Sequence, residues 1–122
     1  MEWTFKEGRP IYTQIVEQMK MRIASGAYKP GAKVPPVREL AVEAGVNPNT
    51  MQRAFAELER DELLHAVRTS GRFITEEENV LSNLQKSLGK NFIKEMFDNL
   101  KKLGMNEKEI VDAVEQWAKE AR

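Results

Sequence analysis

Four uncharged hydrogen-bonding side chains, Asn47, Asn49, Thr50 and Gln52, fall within residues 47–52, and Arg53 follows them directly. Asn and Gln amides match the paired donors and acceptors that bases present in the DNA major groove, and Arg suits guanine or a phosphate. Such side chains serve that purpose on the exposed first turns of a recognition helix. The helix N-terminus adds partial positive charge and free N–H groups for a phosphate, so DNA affinity does not require a basic chain. Arg38 upstream and Arg72 at the tip of a following wing would supply charge on either side. Taken singly, Asn47 and Thr50 read as capping residues and Arg53 as a solvated surface charge. Their grouping in one frame points to double-stranded DNA.

Other chemistries find little material. The 122 residues include no Cys and one His, which removes disulfides, thiolate nucleophiles, cysteine zinc sites and histidine metal clusters. That histidine, His65, stands just past an apolar pair in "DELLHAVRT" and reads as a surface or turn residue. No nucleophile sits near a base and no Gly-rich phosphate loop follows a strand, so neither an enzyme nor a cofactor is expected. With 41% hydrophobic and 31% charged residues the composition is that of a soluble globular protein. No apolar run is long enough to span a bilayer, and "MEWTFKEGRP" lacks the basic start and apolar core of a secretory signal, so a cytoplasmic protein with no membrane partner is expected.

The elements that must position the polar stretch follow from periodicity. Ile11, Ile15, Met19 and Ile23 recur at helical spacing, flanked by Tyr12, Val16 and Arg22, with Pro10 suited to the first turn and Gly26 to the end. A Pro30-Gly31 turn leads to a short extended piece with Val34 buried. Val37, Leu40, Ala41 and Ala44 share one face of a second, short helix that closes at Gly45. Asn47 then has the side chain of an N-cap, and Pro48 is tolerated at the first helical position. In the third helix Met51, Ala54, Phe55 and Leu58 face a core, which turns Asn49, Gln52 and Arg53 outward and Thr50 outward or sideways.

After it "LLHAVRTSGRFIT" changes period and predicts a hairpin turning at "RTSGR". Three helices and a hairpin make a mainly α fold with a small β-hairpin, laid out as a winged helix-turn-helix over residues 1–75. Residues 76–122 form a second, helical region. The boundary falls at "TEEEN", and the charge changes sign across it: 11 Lys+Arg against 9 Asp+Glu before, 8 against 10 after. Glu76, Glu77 and Glu78 suit a solvated helix start. A long helix carries Leu81, Leu84, Leu88, Phe92, Ile93, Met96, Phe97, Leu100 and Leu103, interrupted at Gly89 and ended by Gly104. A last helix, N-capped by Asn106 with Glu109 three residues on, carries Ile110, Val111, Val114 and Trp117. So much apolar surface on two helices must pack on the first domain or on another chain. A homodimer is expected, with Leu84, Leu88, Phe92, Met96, Phe97, Leu100, Val114 and Trp117 at its interface. Apolar residues at helical spacing are ordinarily core, so a dedicated effector pocket is not expected, and the sequence leaves open whether a small-molecule effector acts on the pairing of the helices.

The stretch "GAYKPGAKVPPVRELAVEAGVNPNTMQRAFAELERDELL" resembles the GntR-type winged-helix repressors, with their Pro-Gly turn, Pro-x-x-Arg-Glu-Leu-Ala helix and Val-x-x-x-Thr-x-x-x-Ala helix. The likeness spans about residues 10–75. "NPNT" and the two-helix tail resemble the YtrA subfamily, which lacks the large effector-binding domain of other members. The resemblance implies a DNA-binding repressor, often of an ABC-exporter operon. It also implies that Arg38 contacts DNA from the second helix, that Asn47, Asn49, Thr50 and Gln52 face the groove, that Arg53 meets a phosphate, and that Gly71 and Arg72 form the wing. Pro36 replaces a usual serine, Pro48 and Gln52 stand where other subfamilies often carry Arg, and Glu62 and Thr69 replace usual glycines. The alternative function is a winged helix used for protein contact without DNA.

Overall fold

Ile15, Met19 and Ile23 recur every four residues, and their burial is what fixes the inner face of the first helix, α1, Ile11–Ala24. The computed structural model describes residues 2–122. Pro10 stands one place outside α1, at its N-cap, and Arg22, expected on the flank, is buried at 6% exposure. The second helix, α2, is Val37–Ala44 and the third, α3, is Pro48–Arg60. Gly45 ends α2 in the left-handed region at φ 70, a conformation that suits a residue without Cβ. Its neighbour Val46 donates its N–H back to Ala41 at 3.0 Å, which turns the chain sharply into α3. Met51, Ala54, Phe55 and Leu58 are the buried face of α3, packed with Ile15, Met19 and Leu40 in one core. Phe55 is 1% exposed, and truncating such a side chain costs about 3–5 kcal/mol.

Strands β1, Leu64–Val67, and β2, Gly71–Ile74, pair antiparallel in the register Leu64↔Ile74, His65↔Phe73, Ala66↔Arg72, Val67↔Gly71. Leu64 and Ile74 turn into the core while the far end of the hairpin stands in solvent, which makes it a wing. The extended piece around Val34 is joined to this hairpin. A bridge links Lys33 to Phe73, Val34 donates its N–H to the Arg72 carbonyl at 2.9 Å, and Ile74 donates to Ala32 at 2.9 Å. The wing is thus seated along its inner strand.

Residues 2–9 lie along α1, held by two glutamines. The Gln14 amide accepts from the Lys6 N–H at 2.7 Å and donates to the Lys6 carbonyl at 2.9 Å. Gln18 does the same with Thr4 at 3.1 and 2.7 Å. Each amide copies the donor and acceptor of a neighbouring strand. Trp3 closes the arrangement over the buried Arg22 guanidinium, 3.8 Å from its ring centre.

The chain divides into two compact units, one ending at Gln85 and the other Lys86–Arg122. Helix α4, Glu78–Lys102, runs across that division without a break at Gly89. The first unit extends beyond the expected boundary at residues 75/76 because Val80, Leu81 and Leu84 pack against the winged-helix core. Leu84, expected at the dimer interface, is therefore engaged with its own chain. In the second unit Asn106 and Glu109 form the full reciprocal cap of α5, Glu107–Glu120, at 2.9 and 3.0 Å. Ile110 is buried, and Leu88, Met96, Phe97 and Leu100 are half-buried. Phe92, Ile93, Leu103, Val111, Val114 and Trp117 are exposed, Trp117 to 70%. Among the described residues no helix is long and apolar enough to cross a membrane.

Candidate nucleic-acid interface

Helix α3 sets the site because its inner face is fully committed to the core. Asn49, Gln52, Arg53 and Ala56 are exposed on its outer face, Asn49 and Arg53 one turn apart. Thr50 is half-buried at the side. Asn47 is exposed but its amide oxygen is committed, accepting the Asn49 N–H at 2.7 Å. That cap corrects one expectation. Pro48 has no N–H, Asn49 donates to the Asn47 side chain, and Thr50 and Met51 both donate to the Asn47 carbonyl at 3.0 and 3.1 Å. From Pro48 to Met51 the opening turn therefore leaves no unpaired N–H for a phosphate, while among the described residues the Asn47 N–H itself has no partner.

A groove of 420 Å³ runs between α2, α3 and the wing, lined among others by Lys33, Arg38, Gln52, Phe55, Gly71 and Arg72. Four of the expected residues thus meet at one surface: Arg38 from α2, Gln52 from α3, and Gly71 and Arg72 from β2. Asn49 and Arg53 lie on the exposed face of the same helix without lining that groove. Gly71 has φ 113, and a Cβ there would stand 3.1 Å from the Lys33 side chain. The glycine keeps the wing thin where Lys33 crosses it.

Arg72 differs from its expected place. It sits on β2 opposite Ala66, and the tip of the wing is the turn Arg68–Ser70. Its guanidinium is bonded to the Glu59 carboxylate of α3 and lies 5.3 Å from the Phe55 ring centre. Its charge is neutralised and half-buried, so it ties the wing to α3. Besides Arg38, the exposed cations nearby are Arg68 and Lys33. "RTSGR" carries an arginine at each end, so the alternation of the hairpin was the available signal for Arg68. Lys33 had no local signal, since only the bridge to Phe73 brings it to the wing.

Tyr12 was also missed as part of this face. The Arg53 guanidinium lies over its ring at 3.7 Å from the centre, so α1 reaches the surface that α3 presents. A larger hollow of 870 Å³ is lined by Glu59, Glu62, Glu76 and Glu77 together with His65 and Phe73. Four carboxylates repel a polyanion, so the smaller groove with Lys33 and Arg38 is the electrostatically suited one. His65 is exposed on β1 and stacked on Phe73 at 6.1 Å.

Three packed helices with a hairpin wing and an exposed polar opening on the third define a winged helix-turn-helix regulator. Residues 11–74 match the family described as bacterial regulatory proteins, gntR family, and the chain belongs to that family. It is 32% identical to the HTH-type transcriptional regulator YhcF of Bacillus subtilis, over 96% of this chain and 97% of that one. It is 45% identical to the HTH-type transcriptional repressor YtrA of the same organism over 71 residues, 58% of this chain and 55% of YtrA, and is YtrA-like within the family. A GntR family transcriptional regulator from Listeria monocytogenes superposes with TM-score 0.83 at 38% identity, covering 92% of this chain and 98% of that one. AraR(DBD), solved in complex with operator ORX1, superposes with TM-score 0.56 at 29% identity over 62% of this chain and 96% of that one. These relatives are transcriptional regulators, in keeping with the expectation of a regulator and not an enzyme.

Proposed function

We propose that the chain is a homodimeric repressor that reads a palindromic DNA operator. In this reading Asn49 and Gln52 meet base edges in the major groove, and Arg38, Arg53, Lys33 and Arg68 meet phosphates. Gly71 lets the wing approach closely. Asn47 acts by capping α3, Thr50 flanks the contact, and Arg72 holds the wing. The observation that carries the reading is the convergence of Arg38, Gln52 and Gly71 on one groove beside the exposed Asn49 and Arg53. The operator bound to AraR(DBD) and the repressor name of YtrA support the same direction.

The dimer rests on the second unit, where Phe92, Val114 and Trp117 are exposed at 53%, 39% and 70%. Leu88, Met96, Phe97 and Leu100 extend the same apolar supply. Two-fold pairing through these helices would present two α3 elements to two half-sites, hence a palindrome.

Selection of sites from random duplex DNA with the purified chain tests this, repeated with Gln52→Ala and at two salt concentrations. The expected result is a palindromic motif that relaxes at one base pair per half-site in the variant. Weak, salt-sensitive and sequence-blind binding would overturn it in favour of a protein-contact module. The genomic positions of the motif then test control of a transport operon.

A further inference from the structure

The arginines of the winged helix differ in what their N–H groups do. Arg9 donates both terminal nitrogens to Glu17, Arg72 is bonded to Glu59, and the buried Arg22 donates to the Tyr28 hydroxyl at 3.3 Å and to the Glu2 carbonyl at 3.1 Å. Arg53 is held too, but by a ring and not by an acceptor. Its guanidinium lies 3.7 Å from the Tyr12 ring centre, and among the described residues it forms no ion pair or side-chain hydrogen bond. Tyr12 is itself fixed, half-buried at the start of α1 where that helix packs on α3. A ring face removes rotamer freedom from a guanidinium without using its in-plane donors.

We propose that Tyr12 is a positioning residue for DNA binding: it pre-sets Arg53 as a phosphate clamp beside the base-reading Asn49 and Gln52. The inference rests on the DNA-binding reading above and adds α1 to the interface. Held this way, Arg53 loses little freedom when it meets a phosphate, and its in-plane donors are not spent on the ring. The ring acts on affinity for every sequence alike, because a phosphate contact carries no base information.

The test is a double-mutant cycle on the full chain with Tyr12→Leu, Arg53→Lys and both, plus Tyr12→Phe. Dissociation constants are measured by fluorescence anisotropy on the selected duplex and on a scrambled duplex across a salt series. Thermal melts identify any variant that does not fold, and the conservative Tyr12→Phe and Arg53→Lys keep the cycle readable if Tyr12→Leu is lost. Expected is a loss of about three- to tenfold in Tyr12→Leu on both duplexes, with Tyr12→Phe within about twofold of wild type. Arg53→Lys should weaken wild type by a similar factor and add nothing to Tyr12→Leu. Additive losses in the double variant, or a Tyr12→Leu chain that binds as wild type does, overturn the assignment of Tyr12 while leaving the DNA reading standing. A Tyr12→Phe loss as large as that of Tyr12→Leu also overturns it, since the hydroxyl would then be the contact. Absence of sequence-selective binding by wild type overturns the DNA reading and this proposal together.

Discussion

Arg72 on the second strand of the wing is bonded through its Nε to the carboxylate of Glu59 on α3, with both side chains about three-quarters covered or nearly so, at 26% and 32% exposure. A group that the resemblance led one to expect at the DNA is therefore engaged inside the protein, and the wing is fastened to the helix it accompanies.

The first prediction concerns that bond. Glu59→Gln removes an acceptor charge from a partly covered pair, a loss of about 0.5–1 kcal/mol in stability. It also releases the Arg72 charge toward the groove. Binding to scrambled duplex at low salt should tighten about two- to fivefold, while discrimination between the selected and scrambled duplexes falls. Anisotropy titrations with both duplexes read the two effects; unchanged discrimination would show that the wing is held without this pair.

Glu62 and Thr69 have φ of 64 and 69, in the left-handed region that favours glycine. These are the two places where the resemblance led to glycine in other members, and the backbone keeps the glycine-suited shape although the side chains differ. Replacing either by Gly removes that strain at the cost of a more flexible unfolded chain. The net gain should be about 1 kcal/mol, larger for the β-branched Thr69. Thermal melts of Glu62→Gly and Thr69→Gly should move upward by a few degrees; a fall would mean that the side chains make compensating contacts.

The exposed apolar residues of the second unit carry the third prediction. Trp117→Ala and Phe92→Ala each remove a large aromatic from the proposed dimer face, a loss of about 2 kcal/mol for a central anchor. Light scattering over a concentration series should show the midpoint of dimer dissociation rising by roughly an order of magnitude or more. Operator binding should fall with it while the folded helix content stays. A monomeric wild type at all concentrations would remove the dimer.

Lys94 donates a hydrogen bond to Asp98 one turn further along α4 at 2.7 Å, and this bond holds the Asp98 carboxyl below the ordinary carboxylate range. A carboxylate whose folded pKa is lowered contributes stability above its unfolded pKa and loses it as pH falls through the folded one. Acidification below the normal carboxylate range should therefore fray α4 slightly. Asp98→Asn should flatten that part of the helix-content profile measured by circular dichroism. The pair is exposed, so the effect is small and shrinks with salt.

Much of the fold was legible because its signals are local. The Gly45 turn, the Asn47-Pro48 opening and the Asn106–Glu109 cap each involve residues within a few positions, where backbone sterics and one hydrogen bond decide the outcome. Periodicity likewise separated Met51, Ala54, Phe55 and Leu58 from Asn49, Gln52 and Arg53, so the exposed polar face of α3 was readable before any packing was known.

What the sequence determined by itself is therefore the set of helices, the hairpin and the outward face of α3. Only the tertiary structure decided how the charges are used. Arg72 meets Glu59 across 13 positions, Arg53 meets Tyr12 from another helix, Lys33 reaches Gly71 through a bridge to Phe73, and Gln14 and Gln18 spend their amides on Lys6 and Thr4 respectively. The physical reason is common to all four. A long polar side chain has no periodic signature of its own, and its partner is whichever group the packed core brings within reach.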